Sequence, residues 1–136
     1  MIVLDTNVVS ELLKVSPAPE VKQWVALLVE QPALTSVTEW ELRYGVLRLP
    51  IGRRREELGA AIERVLADAA GHILSFDSAA AQHAAELRSC RESAGRPIST
   101  ADAMIAGICL AHAASLATRN VGDFEGTGVG VLDPWA

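Results

Sequence analysis

Short hydrophobic runs alternate with longer helical segments along almost the whole chain. The runs lie at 1–4, 33–37, 72–76, 115–118 and 129–132 and have the length and composition of buried strands. Between them, helical spacing of apolar residues covers 8–14, 20–30, 38–49, 53–70, 79–93 and 101–113. Parallel neighbours in a sheet need long crossover connections, and helices supply them. The alternation predicts an α/β fold, with a short parallel sheet of four to five strands between two layers of helices.

Length and apolar content predict how many cores the chain forms. With 136 residues, 50% of them hydrophobic, the chain can bury one core well and is too short for two ordinary domains, so we expect a single domain over 1–136. We find no signal peptide before Asp5 and no membrane-spanning run, so we expect a soluble cytoplasmic protein without a membrane partner. Cys90 and Cys109 form no CxxC pair, which predicts two buried, reduced thiols.

Acidic residues follow the predicted strands or open the predicted helices. Asp5 follows the first strand, and Glu41 lies one helical turn after the second. Asp123 follows the fourth strand, whereas Asp102 begins a helix. Because ligands bind at the carboxyl ends of strands in open α/β sheets, we expect these four carboxylates to meet there. Such a cluster repels itself unless hard cations lie within it, so the pattern predicts a magnesium site and hydrolysis of a phosphodiester bond.

Each acid also has an explanation that involves no metal. Thr38 and Glu41 have the spacing of a capping box, in which the glutamate bonds back to the threonine amide. Ser99 and Asp102 repeat that spacing, and Asn7 is a candidate N-cap of the first helix. Under this alternative the chain is a non-catalytic interaction module. The joint occurrence of all four acids favours the metal site.

A second alternative is a phosphoaspartate enzyme with Asp5 as nucleophile. Such enzymes generally use a later lysine to neutralise the phosphoryl group, but the only lysines are Lys14 and Lys22. Asn7 also stands where the related phosphatases carry a second aspartate. Attack by a metal-activated water needs no separate general base and predicts 5′-phosphate and 3′-hydroxyl ends.

The net charge bears on the substrate. A formal charge of −5 opposes non-specific attraction to a polyanion such as RNA. Cations bound by the acidic cluster would cancel part of that charge. The charge therefore weakens the nuclease hypothesis without excluding it.

Four motifs, in this order, resemble those of the PIN-domain ribonucleases. They are Asp5-Thr6-Asn7, Thr38-x-x-Glu41-Leu42, Ser99-x-x-Asp102-Ala103-x-Ile105-Ala106 and Thr118-Arg119-Asn120-x-x-Asp123-Phe124. Within that family the chain is similar to the VapC toxins. It is most similar to the FitB-like branch, which shares the closing segment 124–128 and the terminal Pro134-Trp135. The resemblance spans essentially the whole chain.

This resemblance implies an α/β/α PIN fold and an endoribonuclease that depends on Mg²⁺ or Mn²⁺. The metal ligands and catalytic residues would be Asp5, Glu41, Asp102 and Asp123, supported by the polar side chains of Asn7, Thr38, Thr118 and Asn120. Since the fourth acid varies within the family, Asn120 is an alternative to Asp123.

The same resemblance implies partners. The chain would be the toxin of a type II toxin–antitoxin system, a homodimer that cuts RNA. Its antitoxin would often be of the ribbon-helix-helix type, and their complex would bind operator DNA. Because an acidic pocket is a receptor for a guanidinium group, an arginine of the antitoxin would block it.

Overall fold

Strands and helices alternate along the chain as predicted. The computed structural model describes residues 1–136. The strands are β1 (Ile2–Leu4), β2 (Leu34–Thr35), β3 (Ile73–Leu74), β4 (Ser115–Ala117) and β5 (Val131–Leu132). The helices are α1 (Thr6–Leu12), α2 (Pro19–Ala26), α3 (Ser36–Leu47), α4 (Arg53–Asp68), α5 (Ser78–Ser93) and α6 (Thr100–Ala111), with a 3₁₀ turn at Val121–Phe124. None of the helices combines the length and hydrophobicity that crossing a lipid bilayer requires.

The strand β1 lies at the centre of the sheet. It pairs in parallel with β4, and β4 pairs in parallel with β5. On its other side β1 joins β2 through a single bridge between Val3 and Ala33, and β2 pairs in parallel with β3. The strand order is therefore β3-β2-β1-β4-β5, which places the carboxyl ends of all five strands at one edge.

The core is divided between the two faces of the sheet, since successive strand residues point to opposite sides. Val3 and Leu116 belong to the cluster built with α5 and α6. Leu4 and Ala117 belong to the cluster built with α1, α2 and α4. This confirms the predicted three-layer α/β/α architecture. Cys109 is buried in the first cluster, and burial raises the pKa of its thiol to about 12. Cys90 is exposed, so the expectation that both thiols are buried is wrong.

Two helix starts differ from the sequence prediction. Asp5, not Asn7, is the N-cap of α1. The helix α3 begins at Ser36. Thr35 is the N-cap of α3, because its side-chain hydroxyl accepts a hydrogen bond from the backbone amide of Thr38. The predicted capping box of Thr38 and Glu41 is therefore wrong, since the Thr38 amide already has a partner. Glu41 lies within the helix, without a capping role.

Gly107 lets α5 and α6 approach closely. A Cβ atom at this position would lie 2.5 Å from the carbonyl oxygen of Ala80 and 2.8 Å from Cβ of Ala84. Any side chain would therefore push α6 away from α5. Because α6 carries Asp102 on its first turn, this contact also helps to set the position of that acid.

Alanine at Gly107 tests the close contact. We expect Gly107→Ala to lower the free energy of unfolding by about 1–3 kcal/mol, as overpacking does. Gly45 lies in the exposed part of α3 with nothing within 4 Å of an added Cβ, so Gly45→Ala is the matched control. It should raise the free energy of unfolding by roughly 0.5–1 kcal/mol. Urea unfolding measures both, and equal stability of the two variants would contradict the packing.

Candidate metal centre

Asp5 lies where β1 ends and α1 begins, in the middle of the carboxyl edge of the sheet. It is only 4% exposed. Its Oδ1 atom accepts a hydrogen bond from the backbone amide of Thr6 at 2.8 Å. Its Oδ2 atom accepts hydrogen bonds from the hydroxyl of Thr118 at 2.8 Å and from the side-chain amide of Asn7 at 3.3 Å. Two donors from α1 and one from the residue after β4 therefore hold this carboxylate in one orientation, and two of the three donors belong to Asn7 and Thr118, named above as supporting residues.

Thr6 holds Glu41 at the same edge. Its hydroxyl donates to Oε1 of Glu41 at 2.7 Å. The hydroxyl oxygens of Thr6 and Thr38 lie 3.0 Å apart, and Thr38 is fully buried. This hydroxyl chain joins α1 to α3 and connects Thr38, named above as a supporting residue, to Glu41 through Thr6. Thr6 was not predicted as a site residue, although it lies within the motif Asp5-Thr6-Asn7.

Asp102 lies on the first turn of α6, and Asp123 lies in the 3₁₀ turn that follows β4. The hydroxyl of Ser99 accepts a hydrogen bond from the backbone amide of Asp102 at 3.2 Å, so Ser99 is the N-cap of α6. The side chain of Asp102 lines one cavity with Asp5 and Glu41 and a second, smaller cavity with Asp123. Asp102 therefore connects Asp123 to the other acids.

The larger cavity has a volume of about 420 Å³ and is lined almost entirely by polar residues. Asn7 and Asn120 line it together with three of the four predicted acids. Asp123 lines only the smaller cavity, of about 160 Å³. The two candidates for the fourth position thus lie in different cavities, and Asn120 shares the one that contains Asp5.

Burial and mutual repulsion raise the pKa of two of these carboxyl groups. For Asp5, burial raises the pKa most, hydrogen bonds from Thr118 and Thr6 lower it, and the charges of Glu41 and Asp123 raise it further. For Asp102, burial again comes first and repulsion by Asp5 second. None of the four acids forms an ion pair with lysine or arginine. The cluster therefore holds negative charge that a divalent cation would neutralise.

The donor set suits Mg²⁺ but does not form a closed cage. Carboxylate and amide oxygens are the hard donors that Mg²⁺ prefers. No three acidic, histidine or cysteine side chains converge closely enough to hold an ion on their own. Since Mg²⁺ keeps several waters and typically takes one or two carboxylates, such convergence is not required.

Arg91 is a buried residue of this region that the sequence did not indicate. It is 7% exposed, and its Nη1 atom donates to the carbonyl oxygens of Asp123 and Glu125, each at 2.8 Å. Its Nε atom donates to the carbonyl oxygen of Arg96 at 2.7 Å. A lone arginine in an alanine-rich helix is typical of a solvated face. Here it fixes the loop that carries Asp123.

A parallel sheet with acidic side chains at its carboxyl edge is the arrangement that the resemblance to the PIN-domain ribonucleases implied. A family model described as the PIN domain matches residues 2–128. The chain therefore belongs to the PIN-domain family, as its motifs predicted. Membership of this family disfavours the phosphoaspartate alternative.

The likeness to individual relatives extends over the full length. The chain is 39% identical over 137 residues to the VapC ribonuclease Y4jK of Sinorhizobium fredii, covering 99% of this chain and 98% of the relative. It is also 39% identical over 137 residues to Toxin FitB of Neisseria gonorrhoeae, covering 99% of each. These relatives confirm the predicted likeness to the VapC toxins and the FitB-like branch.

Solved structures show the same relationship. FitAB bound to the IR36 DNA fragment matches with a TM-score of 0.93 and 38% identity, covering 100% of this chain and 96% of that one. DNA-bound VapBC from Salmonella typhimurium matches with a TM-score of 0.85 and 26% identity, covering 98% and 97%. Both of these structures contain DNA.

The raised pKa of Asp102 makes stability depend on pH. A carboxyl group with a raised folded-state pKa stabilises the fold when protonated, and this contribution is lost as the pH rises through that value. Asp102→Asn removes the ionisation. In EDTA we therefore expect the variant to have a higher free energy of unfolding than the wild type at neutral pH. The difference should shrink as the pH falls toward 3.8, the ordinary pKa of an aspartate, because the wild-type carboxyl group is then protonated in the folded state. Denaturant unfolding across this range measures the difference, and a constant difference would contradict the assignment.

Proposed function

We propose that this protein is a Mg²⁺- or Mn²⁺-dependent endoribonuclease and the toxin of a type II toxin–antitoxin pair. The observation that carries the proposal is the buried carboxylate of Asp5, which lies among other acids without a cationic partner. The full-length relatives named VapC ribonuclease and Toxin FitB support the same activity and role.

The side chains of the cavity divide the work of cation binding and positioning. Asp5 and Asp102 would hold the cation, because both line the cavity and both have a pKa raised by burial and repulsion. Glu41 and either Asp123 or Asn120 would complete the site. Bound there, a divalent cation would polarise the scissile phosphate and lower the pKa of an attacking water.

The remaining polar residues would keep the acids in place. Thr118 and Asn7 donate to Asp5, and Thr6 donates to Glu41, so each acid would keep its orientation when a cation arrives. Loss of such supporting contacts typically costs about 10–100-fold in metal affinity or activity. No histidine lines either cavity, which agrees with a mechanism that has no separate general base.

An antitoxin would have a groove available beside the acids. A mainly apolar groove of about 760 Å³ lies between α1, α3 and α4 and shares Thr6 and Glu41 with the acidic cavity. An amphipathic segment packed on Leu13, Leu42 and Leu58 would bring a neighbouring arginine to the carboxylates. A ribbon-helix-helix antitoxin that carries the pair to operator DNA is compatible with the DNA in both structural neighbours.

The predicted homodimer would have a separate surface. Trp40, Tyr44 and Leu47 are 59%, 55% and 64% exposed and follow helical spacing on α3. Large exposed apolar side chains on one face of a helix suit an interaction site. Light scattering tests the proposal, and a strictly monomeric protein at tens of micromolar would count against it.

Incubation with transfer RNA and with a mixed RNA pool tests the proposed activity. We expect cleavage with Mg²⁺ or Mn²⁺, none in EDTA, and products with 5′-phosphate and 3′-hydroxyl ends. Asp5→Asn and Asp102→Asn should each reduce the rate by more than the roughly 10–100-fold typical of losing a supporting residue. Asp68 is exposed and lines neither cavity, so Asp68→Asn is the matched control and should cut RNA like the wild type.

Two outcomes would contradict the proposal. Cleavage that persists in EDTA, or in both site variants, would indicate a contaminant or a different site. Products ending in 2′,3′-cyclic phosphate would show that the 2′-hydroxyl of the RNA, not a metal-activated water, attacks the phosphodiester.

A further inference from the structure

A cation without an acidic partner lies on the wall of the acidic cavity. Lys14 and Arg119 are the basic residues that line this cavity. Nζ of Lys14 lies 3.0 Å from Oε1 of Glu11, so the charge of Lys14 is paired. The guanidinium group of Arg119 forms no ion pair. The pKa of Glu11 is lowered first by hydrogen bonds from Lys14 and Ala18 and least by Arg119, so Glu11 is not the partner of Arg119.

An aromatic ring holds the guanidinium group of Arg119. Its Cζ atom lies 5.0 Å from the centroid of the Trp135 ring, which is within cation–π distance. The ring of Trp135 packs against the core cluster that contains Leu4 and Ala117, its amide donates to Oδ1 of Asp133 at 2.9 Å, and the preceding Pro134 is fully buried. Trp135 therefore supplies a core-packed aromatic face that supports Arg119, whose guanidinium N–H donors have no protein acceptor.

Arg119 is also fixed relative to the acids. It follows Thr118, whose hydroxyl donates to Asp5. The amide of Arg119 donates to Oδ1 of Asn7 at 3.3 Å, and the side chain of Asn7 in turn donates to Asp5. The backbone that carries this cation is therefore tied to the carboxylate that would hold the metal.

We propose that Arg119 binds a backbone phosphate of the RNA next to the phosphodiester that is cut, and that Trp135 holds its guanidinium group in place. This inference rests on the proposed function and assigns part of the substrate-binding surface. A guanidinium group binds phosphate through two parallel N–H donors. The contact would offset the repulsion between RNA and a protein of net charge −5. Since phosphate contacts position a strand without reading its bases, this subsite sets the register of the RNA.

Equilibrium binding of a labelled single-stranded RNA tests the subsite without cleavage. The parent protein is full-length Asp5→Asn in EDTA, which carries less acidic repulsion. Adding Arg119→Ala should weaken binding about tenfold, the loss expected for one charge-assisted contact. It should also reduce the slope of log affinity against log salt by about 0.7, the value for one phosphate contact with single-stranded nucleic acid. Arg119→Lys keeps the charge and should keep that slope while losing part of the affinity.

Arg64→Ala is the matched control. Arg64 is an exposed arginine of α4 that forms no ion pair and lines neither cavity, so its removal changes the net charge equally and should leave the slope unchanged. Equal slopes for the Arg119→Ala and Arg64→Ala proteins would overturn the subsite while leaving RNA cleavage by the wild type intact. A parent protein that binds no RNA would also overturn it. Loss of the proposed function would show separately, as absence of cleavage by the wild type.

Discussion

The buried carboxylate of Asp5 is the constraint on which the rest of this site depends. Burial and neighbouring acids disfavour its charge, while hydrogen bonds from Thr118 and Thr6 favour it. Hydrogen-bond donors of the protein thus stabilise the negative charge of Asp5, although no lysine or arginine forms an ion pair with it. This arrangement leaves the acids available to an ion from solution, which the proposed Mg²⁺ site and the proposed contact with an arginine of an antitoxin both require.

The parallel sheet makes this arrangement from residues far apart in the chain. Because β1 pairs with β4, Asp5 and Thr118 meet across 113 positions of sequence. The hydroxyl chain from Thr6 to Thr38 fixes α3, and the contact at Gly107 fixes α6. A different contact therefore positions each of the three acids of the larger cavity: Thr118 holds Asp5, Thr6 holds Glu41, and Gly107 sets the helix of Asp102. At the smaller cavity, the buried Arg91 holds the loop of Asp123 through a hydrogen bond to its carbonyl oxygen.

The sequence predicted those parts of the molecule that follow from periodicity and order. Alternating runs and helices were enough for the parallel sheet. The positions of the acids after strands were enough to bring Asp5 and Glu41 to one cavity, but Asp123, which also follows a strand, lines a separate and smaller one. It did not predict strand lengths, since an apolar run does not show which of its residues form ladder hydrogen bonds. The start of α3 was misplaced because Thr35 and Thr38 are both good N-caps, and only tertiary packing decides between them. The role of Arg91 depends on a loop that approaches it from 32 residues away, which no local pattern reveals.

Thermal unfolding with and without divalent cations tests the central claim most directly, which is that the gathered acids form a cation site. A ligand at 100 times its dissociation constant stabilises the folded state by about 2.7 kcal/mol. Millimolar Mg²⁺ or Mn²⁺ should therefore raise the melting temperature of the wild type by several degrees, and Asp5→Asn should gain much less while remaining stable without metal. A wild type that is indifferent to both cations, or an Asp5→Asn protein that gains as much, would contradict the account.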